Sequence, residues 1–246
     1  MKCMIGVNTL TSVEQPVYAN HCQFWYHLGK NFPPPHGFAL NSPRRMSIDR
    51  MRNMTAKIAL EWEADYLMFI DDDIVIPIDS FPKMLAHDKD IVAGWTIIRG
   101  HPFFNMFFRF IDKEEKKLKQ CQHWEQNEIV NNCIDVDAVG FSCALIKTSL
   151  LKKVPPPWFV TGPYNTEDIY FCIKAKEFVP NVSIVVDLSI KTAHALGTEY
   201  IDPDNLENYK TYFEKQFPEM IVHDPDDKVK DRGDDYLAKI KEEVNV

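Results

Sequence analysis

Between positions 66 and 73 the chain runs Tyr66-Leu67-Met68-Phe69-Ile70 straight into Asp71-Asp72-Asp73. Five consecutive apolar residues, of strand length, suit a strand covered on both faces. Three adjacent carboxylates do not follow it into that interior, so the junction marks the carboxyl end of a buried strand. In open α/β sheets that end is where ligands bind. Adjacent carboxylates also repel one another unless a cation or solvent offsets them. Asp71 and Asp73, two apart, share a side if the backbone stays extended, and together they suit one hard divalent ion bound through oxygen. The plainer alternative is a solvated acidic turn.

The rest of the chain supplies partners for that strand. Residues 2–8 read as a first strand ending at the polar turn Asn8-Thr9, and a helix is expected over about 14–29, before the proline-rich loop 32–36. Ile48, Met51, Thr55, Ile58 and Trp62 recur at 3,4,3,4 spacing, which predicts a helix over 47–63 with one apolar face. A short helix is expected at 79–87 and strands at 90–95, 129–136, 138–147 and 182–188, with β-forming residues at 103–111 before a turn at 112–115. Helices are expected at about 166–178 and 203–216. With no repeat and no convincing linker, one α/β domain over 1–223 is expected, followed by a charged tail over 224–246 with a short terminal helix.

Composition narrows the partners. At 246 residues and 45% hydrophobic the chain supports one sizeable core. Its 28 basic and 36 acidic residues leave a net charge of −8, without the electrostatic footprint of a non-specific nucleic-acid or anionic-membrane binder. No stretch approaches the ~18 apolar residues of a membrane span, and the start lacks the features of a signal peptide. Cysteines at 3, 22, 121, 133, 143 and 172 show no paired metal spacing, and Cys3, Cys143 and Cys172 sit in apolar runs. An intracellular, reducing, cytoplasmic setting is the corresponding expectation.

Four segments taken together resemble glycosyltransferase family 2 and its relatives, over most of the chain. They are Arg52-Asn53 and Ala59 leading into Ala64 to Asp73 and Pro77; Val136 to Phe141 running on to Leu150; Trp158-Phe159 followed by Thr166 to Cys172; and Val186-Asp187 to His194. The resemblance implies a single GT-A, Rossmann-like domain, with a mixed, mostly parallel central sheet flanked by helices. It also implies metal-dependent transfer of a sugar from a nucleotide-sugar, UDP being the commonest donor nucleotide, to an acceptor hydroxyl with inversion. Asp71, Asp73 and His194 would hold Mn²⁺ (or Mg²⁺), and Thr9, Arg52, Asp71 and Asp72 would contact the donor. Gly140, Trp158 and Glu167 would face the acceptor, with Asp168 as the base.

Each role has a physical ground. Expelling a diphosphate accumulates negative charge, which a divalent cation stabilises. Imidazole beside carboxylates suits Mn²⁺. A guanidinium at Arg52 forks across two phosphate oxygens. Trp158 is of a type that stacks on sugar rings or fills cores. Glu167 and Asp168 also suit the first turn of a helix on dipole grounds alone, with Asn165 or Thr166 as the cap. Residues 195–203 are expected to close over the donor as a lid.

The chain departs from the family where Asn8-Thr9-Leu10-Thr11 replaces the usual Pro-x-Tyr-Asn turn, and no clear uracil-reading acid stands between Phe32 and Pro43. The acceptor is open: a glycan, a lipid-linked sugar, a small molecule, a protein or a modified nucleic-acid base. Two alternatives remain. One is a haloacid-dehalogenase-like phosphatase with Asp71 as nucleophile, for which Gly233-Asp234-Asp235 is the only late acidic motif. The other is a carbohydrate-binding protein of the same fold without turnover.

Overall fold

A computed structural model describes residues 1–9, 12–162, 166–196 and 199–216. The expected tail at 224–246, and the acidic motif at 233–235, lie outside the described residues. The strands are β1 (Lys2–Asn8), β2 (Gly37–Asn41), β3 (Tyr66–Asp71), β4 (Ile74–Val75), β5 (Ile91–Trp95), β6 (Phe107–Asp112), β7 (Lys117–Gln120), β8 (Cys133–Asp135), β9 (Ala138–Val139), β10 (Cys143–Lys147), β11 (Ile184–Lys191), β12 (Ala193–Leu196) and β13 (Glu199–Ile201). The helices are α1 (Gln15–Asn31), α2 (Ile48–Glu61), α3 (Ser80–Ala86), α4 (Thr148–Lys153), α5 (Glu167–Phe178) and α6 (Leu206–Gln216).

Seven strands form a central sheet in the order β2-β1-β3-β10-β5-β11-β8. Five run in one direction, and β10 and β8 run against their neighbours. This is the mixed, mostly parallel α/β architecture expected. Tyr66 to Ile70 lies inside it as β3, flanked by β1 and β10, with Leu67 to Ile70 fully buried. Two small three-stranded sheets, β13-β12-β4 and β7-β6-β9, extend from it.

The helices pack as their patterns direct, with one shift. The face of α2 turned inward is Met51, Arg52, Thr55, Ala56 and Ala59 rather than the bulkier residues at 58 and 62. Small residues allow that close approach. At Gly6 on β1 a Cβ would stand 2.9 Å from both Phe69 and Thr55, so the glycine lets α2 settle against the strand. Burying the cationic Arg52 on this face is the feature that matters for the site.

Some elements differ from expectation. β2 and α4 are additional. The strand expected over 138–147 divides, because Gly140, Phe141 and Ser142 carry the chain from one sheet to another: β9 pairs with β6 while β10 enters the central sheet. Of 129–136 only Cys133–Asp135 is strand. The expected lid at 195–203 is partly a hairpin, with β12 pairing β13, its tip at 197–198 lying outside the described residues. Ile201 packs with Ile97 and Phe103, and α6 packs against them through Leu206, Tyr209 and Phe213. Among the described residues no helix is long and apolar enough to cross a membrane.

Candidate active site

The carboxyl ends of β1 and β3 lie side by side, with Asn8 paired to Asp71. Asp71 ends β3, and Asp72 and Asp73 form the turn into β4. α1 pins the far side of that turn. Asn20 donates to the Ile76 carbonyl and accepts from the Ile76 N–H, both at 2.9 Å, and the His21 ring lies 3.0 Å from the Ile74 carbonyl. The chain then returns from far downstream. β12 pairs with β4 so that His194 stands opposite Ile74, and the Ala195 N–H donates to the Asp73 carbonyl at 2.8 Å.

His194 is buried and its Nδ1 lies 2.7 Å from the Ile97 carbonyl oxygen. A carbonyl only accepts, so Nδ1 carries the proton. Burial lowers the imidazole's affinity for a second proton, with Asp73 opposing and Arg99 assisting that effect. The neutral ring therefore keeps its lone pair on Nε2, the form in which a histidine binds metal.

Behind the acidic turn lies a buried charge network. The Arg52 guanidinium is wedged between the rings of Phe69 and Phe141, 5.0 and 5.5 Å from their centroids. Its Nη2 lies 3.2 Å from Asp71 Oδ1, and its Nη1 donates to the Phe141 carbonyl at 3.3 Å. Nε lies 3.0 Å from Glu167 Oε1, an ion pair by distance although the N–H is not aimed at that oxygen. Arg52 is only 2% exposed, which corrects the expectation that it clamps the donor diphosphate. It is instead the internal counter-charge to two carboxylates. The adjacent Asn53 holds another segment: its amide accepts from the Trp158 N–H at 2.9 Å and donates to the Phe159 carbonyl at 2.6 Å.

Asp168 is buried as well. Oδ2 accepts the Phe141 N–H at 3.2 Å, while Oδ1 accepts the Ile169 N–H at 2.8 Å and the Thr166 hydroxyl. Thr166 occupies the N-cap position of α5, but its hydroxyl serves Asp168 rather than capping the helix. Gly140 permits this packing, since a Cβ there would stand 2.7 Å from Met106 and 3.5 Å from Asp168 Oδ2.

Crowding shifts the acids. Burial pushes the Asp71 carboxyl up to about 6, Asp73 and Asp168 adding to the shift and Arg52 opposing it. Asp71 keeps 24% of its side-chain surface exposed, so it meets both solvent and the network. Burial also pushes Glu167 up to about 7, opposed by Arg52 and assisted by Asp168 and Asp71.

The structure thus brings Asp71, Asp72, Asp73 and His194 to one corner, with Arg52, Glu167, Asp168 and Gly140 behind it. Thr9 is buried beside them, its N–H bonded to the Pro43 carbonyl at 3.1 Å. Trp158 is corrected. It belongs to the core, its indole N–H donating to the carbonyls of Leu151 and Val154 at 3.0 and 2.9 Å, which leaves no face for an acceptor sugar.

Sequence reasoning missed two residues. Arg99, exposed in the segment after β5, lies 2.7 Å from Asp73 Oδ2. Asn8 is buried, and neither its amide oxygen nor its nitrogen has a hydrogen-bond partner among the described residues. A buried amide with both ends unsatisfied is costly, which singles out Asn8, beside Asp71, among the polar groups of the corner. Its place at the end of β1 was the available signal.

The acidic corner has the oxygen and imidazole donors that suit Mn²⁺ better than the all-oxygen shell of Mg²⁺. Asp73 already attracts a cation, the Arg99 guanidinium. The donor atoms of Asp71, Asp73 and His194 are not drawn within 4.8 Å of one another, a condition that among the described residues only His87, Cys133 and Asp187 meet.

No family profile and no curated protein matches the chain. Among solved structures it is similar to "A197 from STIV", with a TM-score of 0.56 and 22% identity over 83% of this chain and 91% of that one. It also aligns with 4-diphosphocytidyl-2C-methyl-D-erythritol synthase from Anaerococcus prevotii DSM 20548, at a TM-score of 0.42 and 8% identity over 87% and 99%. The first is a likeness of fold. The second is too loose to support any argument.

Proposed function

We propose that this chain is a metal-dependent glycosyltransferase of the GT-A type, moving a sugar from a nucleotide-sugar, with UDP as the favoured nucleotide, to an acceptor hydroxyl with inversion. The observation that carries the reading is the return of β12 onto β4, which sets His194 against the acidic turn that ends β3. A simple acidic turn has no use for a buried, neutral histidine beside it.

Asp71, Asp73 and the Nε2 of His194 would hold Mn²⁺ or Mg²⁺, whose charge offsets that of the departing diphosphate. Arg99 is the exposed cation beside Asp73 and is placed to exchange that carboxylate for a phosphate oxygen. Asn8 and Thr9, at the end of β1, face the nucleoside, and Asp72 stands with them in the donor contact. Asp168 takes the proton of the acceptor hydroxyl, and Arg52 and Glu167 fix the carboxylates around it. Asp168 already accepts two backbone N–H groups and the Thr166 hydroxyl, so that hydroxyl must yield its place to the acceptor.

Thermal-shift and diphosphate-release assays with a panel of nucleotide-sugars, with and without Mn²⁺, test the reading. At least one donor should raise the melting temperature only with metal. Asp73→Asn should abolish that shift, and Asp168→Asn should keep donor binding while reducing transfer by roughly a hundredfold or more. A loss of transfer confined to Glu167→Gln would move the base role one residue along. The reading fails if no nucleotide-sugar binds or turns over with either cation. Brisk hydrolysis of p-nitrophenyl phosphate, lost in Asp71→Asn, would replace it with the phosphatase.

A further inference from the structure

On the face of the sheet covered by α3, three side chains from distant parts of the sequence converge. Cys133 on β8 and Asp187 on β11 are direct cross-strand partners in antiparallel register, so their side chains leave the same face of the sheet. His87, the residue that ends α3, reaches them from the helix. Its Nε2 lies 2.8 Å from Asp187 Oδ2 and 3.4 Å from Cys133 Sγ. One donor atom from each residue lies within 4.8 Å of the other two.

We infer that His87, Cys133 and Asp187 form a metal site, separate from the acidic corner, that takes Zn²⁺. Thiolate, imidazole and carboxylate are together the donor set of a borderline-soft ion, whereas Mg²⁺ and Ca²⁺ select oxygen alone. Around a tetrahedral zinc the donors stand roughly 3.3–3.6 Å apart, given bonds of about 2.0 Å to nitrogen and oxygen and about 2.3 Å to sulfur. The distances found, 2.8 and 3.4 Å, need only a small expansion to reach that geometry.

The arrangement does not suit a nucleophile–base relay. In such a relay the acid and the thiol occupy opposite nitrogens of the ring, and here both face Nε2. The carboxylate is also oriented in advance. The Ser189 N–H donates to Asp187 Oδ1 at 2.8 Å, turning Oδ2 toward the histidine, as outer-shell groups do for metal ligands. The strand bulges between Asp187 and Lys191, a local irregularity common beside sites. Zinc binds the Cys133 thiolate, so coordination displaces the thiol proton. Three protein ligands leave a fourth position for water, and His87, the least buried of the three, opens the site to solvent. Bound zinc would clip the end of α3 to the β8–β11 edge of the sheet.

Cobalt(II) is the probe, because a thiolate ligand gives it a charge-transfer band in the near ultraviolet. The full chain, freed of metal by chelation, should take up one equivalent of Co²⁺ with that band, and Zn²⁺ should displace it while Mg²⁺ does not. Cys133→Ser should abolish the band and the exposed-thiol control Cys22→Ser should keep it. His87→Ala should weaken Co²⁺ binding by more than the ~10–100-fold that outer-shell changes cost. Zn²⁺ should raise the melting temperature of the wild type and not of His87→Ala. A folded wild type without the band, or a band that survives in Cys133→Ser, overturns the assignment. If Cys133→Ser does not fold, unchanged cobalt affinity in His87→Ala overturns it equally.

Discussion

The acidic corner at the end of β3 and the His87–Cys133–Asp187 cluster both gather side chains of the types that ligate metals, yet they are held together in opposite ways. At the corner, like charges are crowded by sequence adjacency and kept in place by cations of the protein itself: Arg52 behind Asp71, and Arg99 in front of Asp73. Its donor atoms are not drawn within 4.8 Å of one another. At the cluster, one residue comes from each of three elements, the donors already meet, and the His87 ring lies 2.8 Å from Asp187 Oδ2 and 3.4 Å from Cys133 Sγ. The first arrangement suits a site that must open and close around an exchanging substrate. The second suits a resident ion.

The largest expected effect tests the internal cation. Arg52→Met leaves Glu167 and Asp71 without their buried counter-charge and should cost about 3–5 kcal/mol in urea unfolding, as breaking a buried pair does. The double variant Arg52→Met/Glu167→Gln should recover part of that loss. At the other cluster, Asp187→Asn in metal-free protein removes a charge but leaves the imidazole a hydrogen-bond partner, and should cost only about 1 kcal/mol. Equal losses in the two regions would erase the distinction between them.

A smaller effect concerns Arg99. Arg99→Ala removes the cation that competes for Asp73, so Mn²⁺ binding to the free protein should tighten by about two- to fivefold, the range of an exposed ion pair. Metal-dependent donor binding should weaken at the same time, because the diphosphate loses a partner. Titrations followed by calorimetry separate the two, and if Mn²⁺ and donor affinities both stay unchanged, Arg99 is a bystander.

Glu167 adds a pH slope in stability. Glu167 holds its proton up to about 7 in the folded protein against an ordinary 4.5. The folded state therefore binds the proton more tightly than the unfolded chain does. The contribution is complete below about 4.5 and is lost as pH rises through about 7, so stability falls with pH across that window. Glu167→Gln should flatten the slope between those limits. A variant that keeps the wild-type slope would show that Arg52 holds Glu167 ionised throughout.

The legible parts of this chain were those written contiguously. β3 with its three aspartates, the helix over α2, and the acidic start of α5 each declare themselves within a dozen residues, because periodicity and charge placement act over that range. The family-like order of segments also anticipated His194 beside the acidic turn. Less was readable where neighbours decide. Arg52 looks the same in the sequence whether it binds phosphate or sits between Phe69 and Phe141, and Trp158 looks the same on a surface or in the core. The strand expected over 138–147 divided at Gly140 because one end pairs with β6 and the other with β3, a choice that its own residues do not make.

By itself, then, the sequence determined which segments are buried strands and amphipathic helices, and where uncompensated carboxylates must gather at a strand end. Only the tertiary structure decided which charge neutralises which, and it alone joined His87, Cys133 and Asp187. Backbone preference and hydrophobic period are properties of neighbours along the chain. Desolvation, ion pairing and coordination depend on distances of a few ångströms, which the chain sets only once the sheet has assembled.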